Sequence, residues 1–178
     1  MGPKMREVLR LFRLHESGKA GYNADFRNDD KWDLVHMTFD QVRALGRAQV
    51  TMQHEASSAI GAYQFITPTL DSLKKTLGLT GRETFDVALQ DDLAVALMIR
   101  RGLMDFGRGK ISAETFCNNL AKEWASLPVV TAIKGARRQL KPGQSYYSGD
   151  GLNKAFHKPE VILAAVRALG KEMQSWIH

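Results

Sequence analysis

Apolar positions along this chain recur at helical rather than strand spacing. Met5, Val8, Leu9 and Phe12 fall on one stripe of residues 4–15, with arginines and lysine opposite, the three-and-four spacing of a helix with one buried face. The stripe stops at Glu16-Ser17-Gly18, and Gly18 and Gly21 break it. Residues 21–33 are polar and predict an irregular loop or a short hairpin, the hairpin reaching to about residue 37. Thr38-Phe39-Asp40-Gln41 has the form of a capping box and predicts a helix from there to about Thr51. Thr67-Pro68 predicts a cap with proline at the first helical position, opening a helix to Leu77 with Gly78 past its end. Residues 84–102 form the longest periodic stretch, turning Phe85, Ala88, Leu89, Leu93, Ala96, Leu97 and Ile99 inward. Ser112-Ala113-Glu114-Thr115 opens a further helix through Trp124, ended by Pro128. Residues 134–150 are rich in Gly, Pro, Ser and Tyr and predict a long loop. His157-Lys158-Pro159-Glu160 starts a last helix to Trp176. β-branched alternation is almost absent, so the expected class is mainly α with a small α+β element. The expected architecture is a helical lobe and a small hairpin or loop lobe forming a cleft, within one domain spanning residues 1–178.

Composition narrows the function classes. A chain of 178 residues, 44% hydrophobic and 25% charged, buries a core without staples and is not disordered. Apolar runs such as residues 161–166 are too short to span a bilayer, and residues 1–10 lack the continuous apolar stretch of a signal peptide. One cysteine, Cys117, excludes an internal disulfide or a cysteine-cluster zinc site. His15, His36, His54 and His157 lack metal-ligand spacing, so neither metal nor cofactor is expected. No phosphate loop, dinucleotide fingerprint or Gly-x-Ser-x-Gly elbow occurs. The net charge of +6 predicts attraction to a polyanion such as nucleic acid, an anionic membrane face or a bacterial envelope.

Four places carry candidate chemistry. Glu16 stands where the first helix ends, and the negative helix terminus disfavours its ionised form. A carboxyl kept protonated near neutrality is what a general acid needs; the alternative is a solvated surface glutamate. Residues 57–65, Ser57-Ser58-Ala59-Ile60-Gly61-Ala62-Tyr63-Gln64-Phe65, combine small residues with a glutamine that both donates and accepts. That set suits the N-acetyl and hydroxyl groups of a sugar, or serves as an ordinary turn with core aromatics. Tyr146 and Tyr147 lie in a run from Ser145 to Gly151 and offer ring faces to sugars or bases. Asp25, with Asp29, Asp30 and Asp33 behind it, lies close enough to Glu16 for the loop to fold back and form a carboxylate pair across a bond. Glu55 is a rival second carboxylate, and a solvated acidic loop is the plain alternative.

Taken in order, these pieces form a pattern. Helix–Glu16-Ser17-Gly18, then Ser58-Ala59-Ile60-Gly61-Ala62-Tyr63-Gln64-Phe65, then Ala121-Lys122-Glu123-Trp124-Ala125-Ser126-Leu127-Pro128, then a Tyr-Gly loop, resemble the lambda-type phage endolysins, lysozyme-fold lytic transglycosylases, and related phage and bacterial muramidases. The resemblance covers roughly residues 5–155. It implies a lysozyme-like fold and cleavage of the peptidoglycan MurNAc-β1,4-GlcNAc bond. It matches the family's catalytic acid to Glu16 and its substrate-contacting turn to Gly61, Tyr63 and Gln64, with Ser57 or Ser58 before it. Its cleft-lining tyrosine matches Tyr147, with extra length intervening at residues 131–144.

The resemblance leaves the mode open. In a transglycosylase one glutamate is acid and then base, while the sugar's own 6-hydroxyl attacks the anomeric carbon. In a hydrolase a second carboxylate, here Asp25 or Glu55, activates water or attacks directly. The Glu16-to-Asp25 spacing is similar to that of T-even-type phage lysozymes, but their Thr-x-Gly-x-Gly-His hairpin is missing. The implied partner is the glycan strand, met by a monomer without nucleic acid or membrane insertion. The implied location is the host cytoplasm until a holin opens the membrane, or the virion. Two other classes stand against this reading: a basic helical nucleic-acid-binding module, resting on Arg100-Arg101 and Arg137-Arg138, and a non-catalytic phage structural protein that keeps a lysozyme fold.

Overall fold

A computed structural model describes residues 1–149 and 154–175. Asp150, Gly151 and Trp176, which the sequence places in the Tyr-Gly loop and the last helix, lie outside the described residues. The described residues are mainly helical: α1 (Pro3–Glu16), α2 (Phe39–Thr51), α3 (Thr67–Leu77), α4 (Val87–Arg100), α5 (Leu103–Gly107), α6 (Ala113–Leu120) and α7 (Pro159–Ser175), with a two-stranded ribbon of β1 (Ile133–Lys134) and β2 (Gln139–Leu140). They group into two units, residues 16–96 and residues 1–15 with 97–178. None of these helices is long and apolar enough to cross a membrane.

In the unit of residues 16–96, α2 packs on α3. Thr38 starts α2 as expected: its side chain accepts from the Gln41 N–H while Gln41 returns a bond to the Thr38 N–H at 2.7 Å, satisfying two otherwise unpaired donors. The start of α3 differs from expectation. Ile66 is the flanking residue, Thr67 and Pro68 both lie inside the helix, and the cap comes from a distant residue: the Thr67 N–H donates to the Ser58 hydroxyl at 2.9 Å. Gly78 ends α3 in the left-handed conformation, φ +66°, where glycine carries no Cβ penalty. Phe39, Val42, Ile60, Tyr63, Phe65, Leu70, Phe85 and Leu93 form the core of this unit.

Two expectations need correction here. Residues 21–37 form no hairpin; they make two short 3-10 turns, Gly21–Asn23 and Leu34–His36. This segment lacks the β-branched alternation that would favour a strand pair, and its side chains bond to backbone instead. The inward face of α4 is also rotated from the predicted one. Ala88 is exposed and Ile99 is 49% exposed, whereas Gln90, Ala94 and Met98 are buried beside Leu93 and Leu97. A buried polar residue, Gln90, sets that face, which apolar spacing alone does not reveal.

In the unit of residues 1–15 and 97–178, α5, α6 and α7 pack on one another. Phe106 stacks on Phe116 with ring centroids 4.9 Å apart, and Gly170 of α7 leaves room for it: a Cβ there would stand 2.7 Å from the Phe106 ring. Phe12 of α1 meets Trp124 at 4.6 Å. Ser112 caps α6, accepting from Thr115 N–H, but α6 ends at Leu120, not Trp124. Beyond it the N–H groups of Lys122 and Glu123 reach back three residues instead of four, the tighter winding with which helices commonly end. Within the predicted loop of residues 134–150 the strands pair Ile133 with Leu140 and Lys134 with Gln139. Two-residue strands are too short for alternation to show. Buried Asn118 anchors the approach to this ribbon, accepting from the Val130 N–H at 2.8 Å and donating to the Thr131 hydroxyl at 2.6 Å.

Candidate active site

Glu16 is the last residue of α1 and is half-buried. Ser17 beyond it is fully buried, and Gly18 takes φ +53°, a left-handed turn that only glycine enters without a steric cost. The Ser17 carbonyl accepts from Gly21 N–H at 3.3 Å. The exit of the helix is thus fixed by backbone.

Residues 57–65 form a frame joined to residues 22–26. The Gly61 N–H donates to the Ala24 carbonyl at 2.7 Å, and Ile60 and Phe65 exchange backbone bonds across the turn. Gly61 sits at φ +77°, and a Cβ there would meet the Gln90 Oε1 at 2.7 Å. Three glutamines complete the frame. Buried Gln90 accepts from Ala62 N–H at 2.8 Å and donates to the carbonyls of Tyr22 and Phe85 at 3.1 and 3.0 Å. Buried Gln49 accepts from Phe26 N–H at 3.2 Å and donates to the Ala59 carbonyl at 3.3 Å. Gln64, half-buried at φ +49°, donates its Nε2 to the carbonyls of Asp25 and Gly61, both at 3.2 Å. That fixes which end of its amide faces inward.

The remaining expected binding residues divide by what their polar atoms already do. Ser57 Oγ accepts from the Ala59 N–H at 3.2 Å, and Ser58 Oγ caps α3. Tyr63 is 1% exposed. Its hydroxyl donates to Asp91 Oδ1 at 2.5 Å, and the Tyr22 hydroxyl donates to the same oxygen at 2.8 Å. Tyr147 lies in the other unit, half-buried, with its hydroxyl donating to the Lys122 carbonyl at 2.6 Å and its ring edge-on to Tyr146. Burial pushes the Tyr147 hydroxyl up from the ordinary tyrosine range.

Both rival carboxylates are engaged. Asp25 is 1% exposed. Burial alone would raise its pKa, but Lys31 at 3.0 Å and the N–H groups of Asp29 and Arg27, at 3.1 and 2.8 Å, outweigh it and hold the carboxyl below its usual range. Glu55 receives two bonds from one guanidinium, Arg27 Nε at 2.7 Å and Nη2 at 3.0 Å, a paired geometry that aligns both oxygens. Among the described residues no group of three or more His, Cys, Asp or Glu side chains is placed to hold a metal ion.

Sequence reasoning does not find Gln49, Gln90 and Asp91, which build the frame. The signal was a polar residue at a core phase: Gln90 precedes Leu93 by three positions and Leu97 by seven, the spacing of a shared helix face.

Comparison with known proteins settles the family. The chain matches the model of the Endolysin family over residues 11–156. A comparison with curated proteins finds no match. Among solved structures it is similar to bacteriophage lambda lysozyme complexed with a chitohexasaccharide, with a TM-score of 0.55, 17% sequence identity and 96% of each chain covered. At that identity the likeness is one of fold. The family match spans most of the chain and includes Glu16, the frame of residues 57–65 and Tyr147. The chain therefore belongs to the endolysin family, phage enzymes that degrade bacterial peptidoglycan.

Proposed function

We propose that this endolysin is a lytic transglycosylase that cleaves the MurNAc-β1,4-GlcNAc bond with Glu16 as its only reacting carboxyl. Glu16 donates its proton to the glycosidic oxygen as the bond to the anomeric carbon breaks. The 6-hydroxyl of the same muramic sugar then attacks that carbon. Its proton passes to the Glu16 carboxylate, which returns the acid to its starting form. The product carries a 1,6-anhydro ring, and no water is consumed.

The observation that carries this reading is the engagement of the other two candidates. A general base needs a lone pair open to a water and a pKa near the working pH. Asp25 has its carboxylate bonded to Lys31 and two backbone N–H groups and is held in its weakly basic form. Both oxygens of Glu55 accept from one edge of Arg27, its Nε and Nη2. Neither is poised for hydrolysis, so a one-carboxyl mechanism accounts for the residues better.

Substrate contact is assigned to the rim of the frame. Among the described residues nothing donates to Gln64 Oε1, while its Nε2 is held from behind by two carbonyls. In this reading that oxygen accepts from a substrate N-acetyl N–H. Ser57 gives the glycan a close backbone approach, and Gly61, buried against Gln90 and Phe85, holds the turn behind it. Ser58 and Tyr63 act by holding the turn. The test is clearing of purified cell walls, followed by turbidity. Wild type clears them, and Glu16→Gln loses clearing by at least a hundredfold, at the lower end of general acid–base contributions of about 10²–10⁴, with an unchanged melting temperature. Equal clearing by the variant overturns the assignment.

A further inference from the structure

The last turn of α1 carries an aromatic platform of its own. His15 is exposed, and its ring lies stacked against Phe156, centroids 5.5 Å apart and planes 18° from parallel. Phe156 is 60% exposed. Among the described residues it alone of the Phe, Tyr and Trp side chains is exposed; the others are buried or half-buried. A solvent-facing phenyl ring gains little for the fold, since apolar area left in water contributes nothing to burial.

The ring does not ride on a slack segment. The Phe156 N–H donates to the Ser126 carbonyl at 2.9 Å. The next residue, His157, is buried, and its Nε2 hydrogen bonds the Leu11 carbonyl of α1 at 2.8 Å. His157 also meets the His15 ring edge-on at 4.3 Å. Burial and the neighbouring His15 hold its pKa below the ordinary histidine value, so it stays neutral at neutral pH and the clamp carries no added charge. Backbone on one side and a buried ring on the other fix the exposed ring in place. It sits against the residue that immediately precedes Glu16 on the same helix.

We infer that Phe156, backed by His15, is a stacking platform for a sugar ring of the glycan strand. The apolar C–H face of a pyranose matches a flat ring held rigid at one face and open to solvent, and an aromatic ring orders at low entropic cost because it has only two rotatable bonds. Phe156 thereby sets where the strand lies along the end of α1; it is a positioning and binding residue, not a catalytic one. This inference rests on the proposed glycan substrate of the preceding section.

The experiment measures two things on the full chain: the dependence of wall clearing on wall concentration, and binding of chitohexaose to Glu16→Gln protein by calorimetry. Phe156→Ala and Phe156→Leu each weaken chitohexaose binding and raise KM by about threefold to tenfold, the span of a single aromatic contact, with kcat nearly unchanged. Phe156→Trp stays near wild type. A merely structural phenylalanine would tolerate Leu, which keeps apolar bulk but has no ring face, so the Leu variant separates the two roles. Unchanged binding and KM in both Ala and Leu variants, with wall clearing intact, overturns the platform while leaving Glu16 standing. Failure of wild type to clear walls or to bind chitohexaose overturns both.

Discussion

Asp25 spends its charge on its own loop. Lys31 and two backbone N–H groups converge on a carboxylate that is almost wholly buried, an arrangement that closes the turn of residues 25–29. Asp25→Asn keeps the shape but weakens these charge-assisted bonds, so the fold loses roughly 1–3 kcal/mol and the melting temperature drops by several degrees. The pH dependence has a definite sign. A carboxyl held below its ordinary value of 3.8 contributes stability that is present above that value and lost as pH falls through the lower, folded value. Acid unfolding of wild type followed by circular dichroism shows this slope below about pH 4, and Asp25→Asn flattens it. Folded Asp25→Asn still clears walls. If Asp25 were the water-activating base, the variant would instead be stable and inactive.

At the level of elements, the frame depends on one helix residue reaching backbone at three separate places. Gln90 links Ala62, Tyr22 and Phe85. Gln90→Leu, similar in size, leaves an N–H and two carbonyls buried without partners, at a cost of at least about 2 kcal/mol. Its chemical-denaturation midpoint falls, and with it the wall affinity proposed for Gln64. An unchanged midpoint would show that the frame is held elsewhere. Capping chemistry was legible beforehand because it is local: Thr38 and Ser112 mark α2 and α6 within a residue. The start of α3 is not legible in the same way, because its cap, Ser58, comes from a separate segment. The missing hairpin and the rotated face of α4 share one cause. Both are decided by polar side chains bonding to backbone across the chain, which periodicity of apolar residues does not encode. Glu16 and Gln64 were legible as candidates from residue type and order, whereas the occupation of Asp25 and Glu55 by Lys31 and Arg27 needed coordinates.

For the molecule as a whole, a positive net charge favours encounter with anionic polymers of the wall. The chain carries a net +6. On the β1–β2 ribbon and its flank, Lys134, Arg137 and Lys141 are exposed and make no ion pair among the described residues. Other cations are paired, as where the Glu123 carboxylate binds Arg100 and Arg101 at 2.7 and 2.8 Å. Exposed charges act over about 8 Å at physiological ionic strength. Wall clearing therefore slows as salt rises, through a higher KM at constant kcat, and Lys134→Gln with Arg137→Gln reduces that salt dependence. A salt response that is the same in the double variant would place the attraction on other cations.

The central claim is that one carboxyl suffices. Mass spectrometry of the fragments released from purified peptidoglycan reads it directly: a sugar end closed by its own 6-hydroxyl is lighter by one water than an end opened by hydrolysis. The account predicts 1,6-anhydro-muramic ends as the product of wild type, absent with Glu16→Gln. Reducing muramic ends from wild type would show that water was the nucleophile, and that a second group activates it.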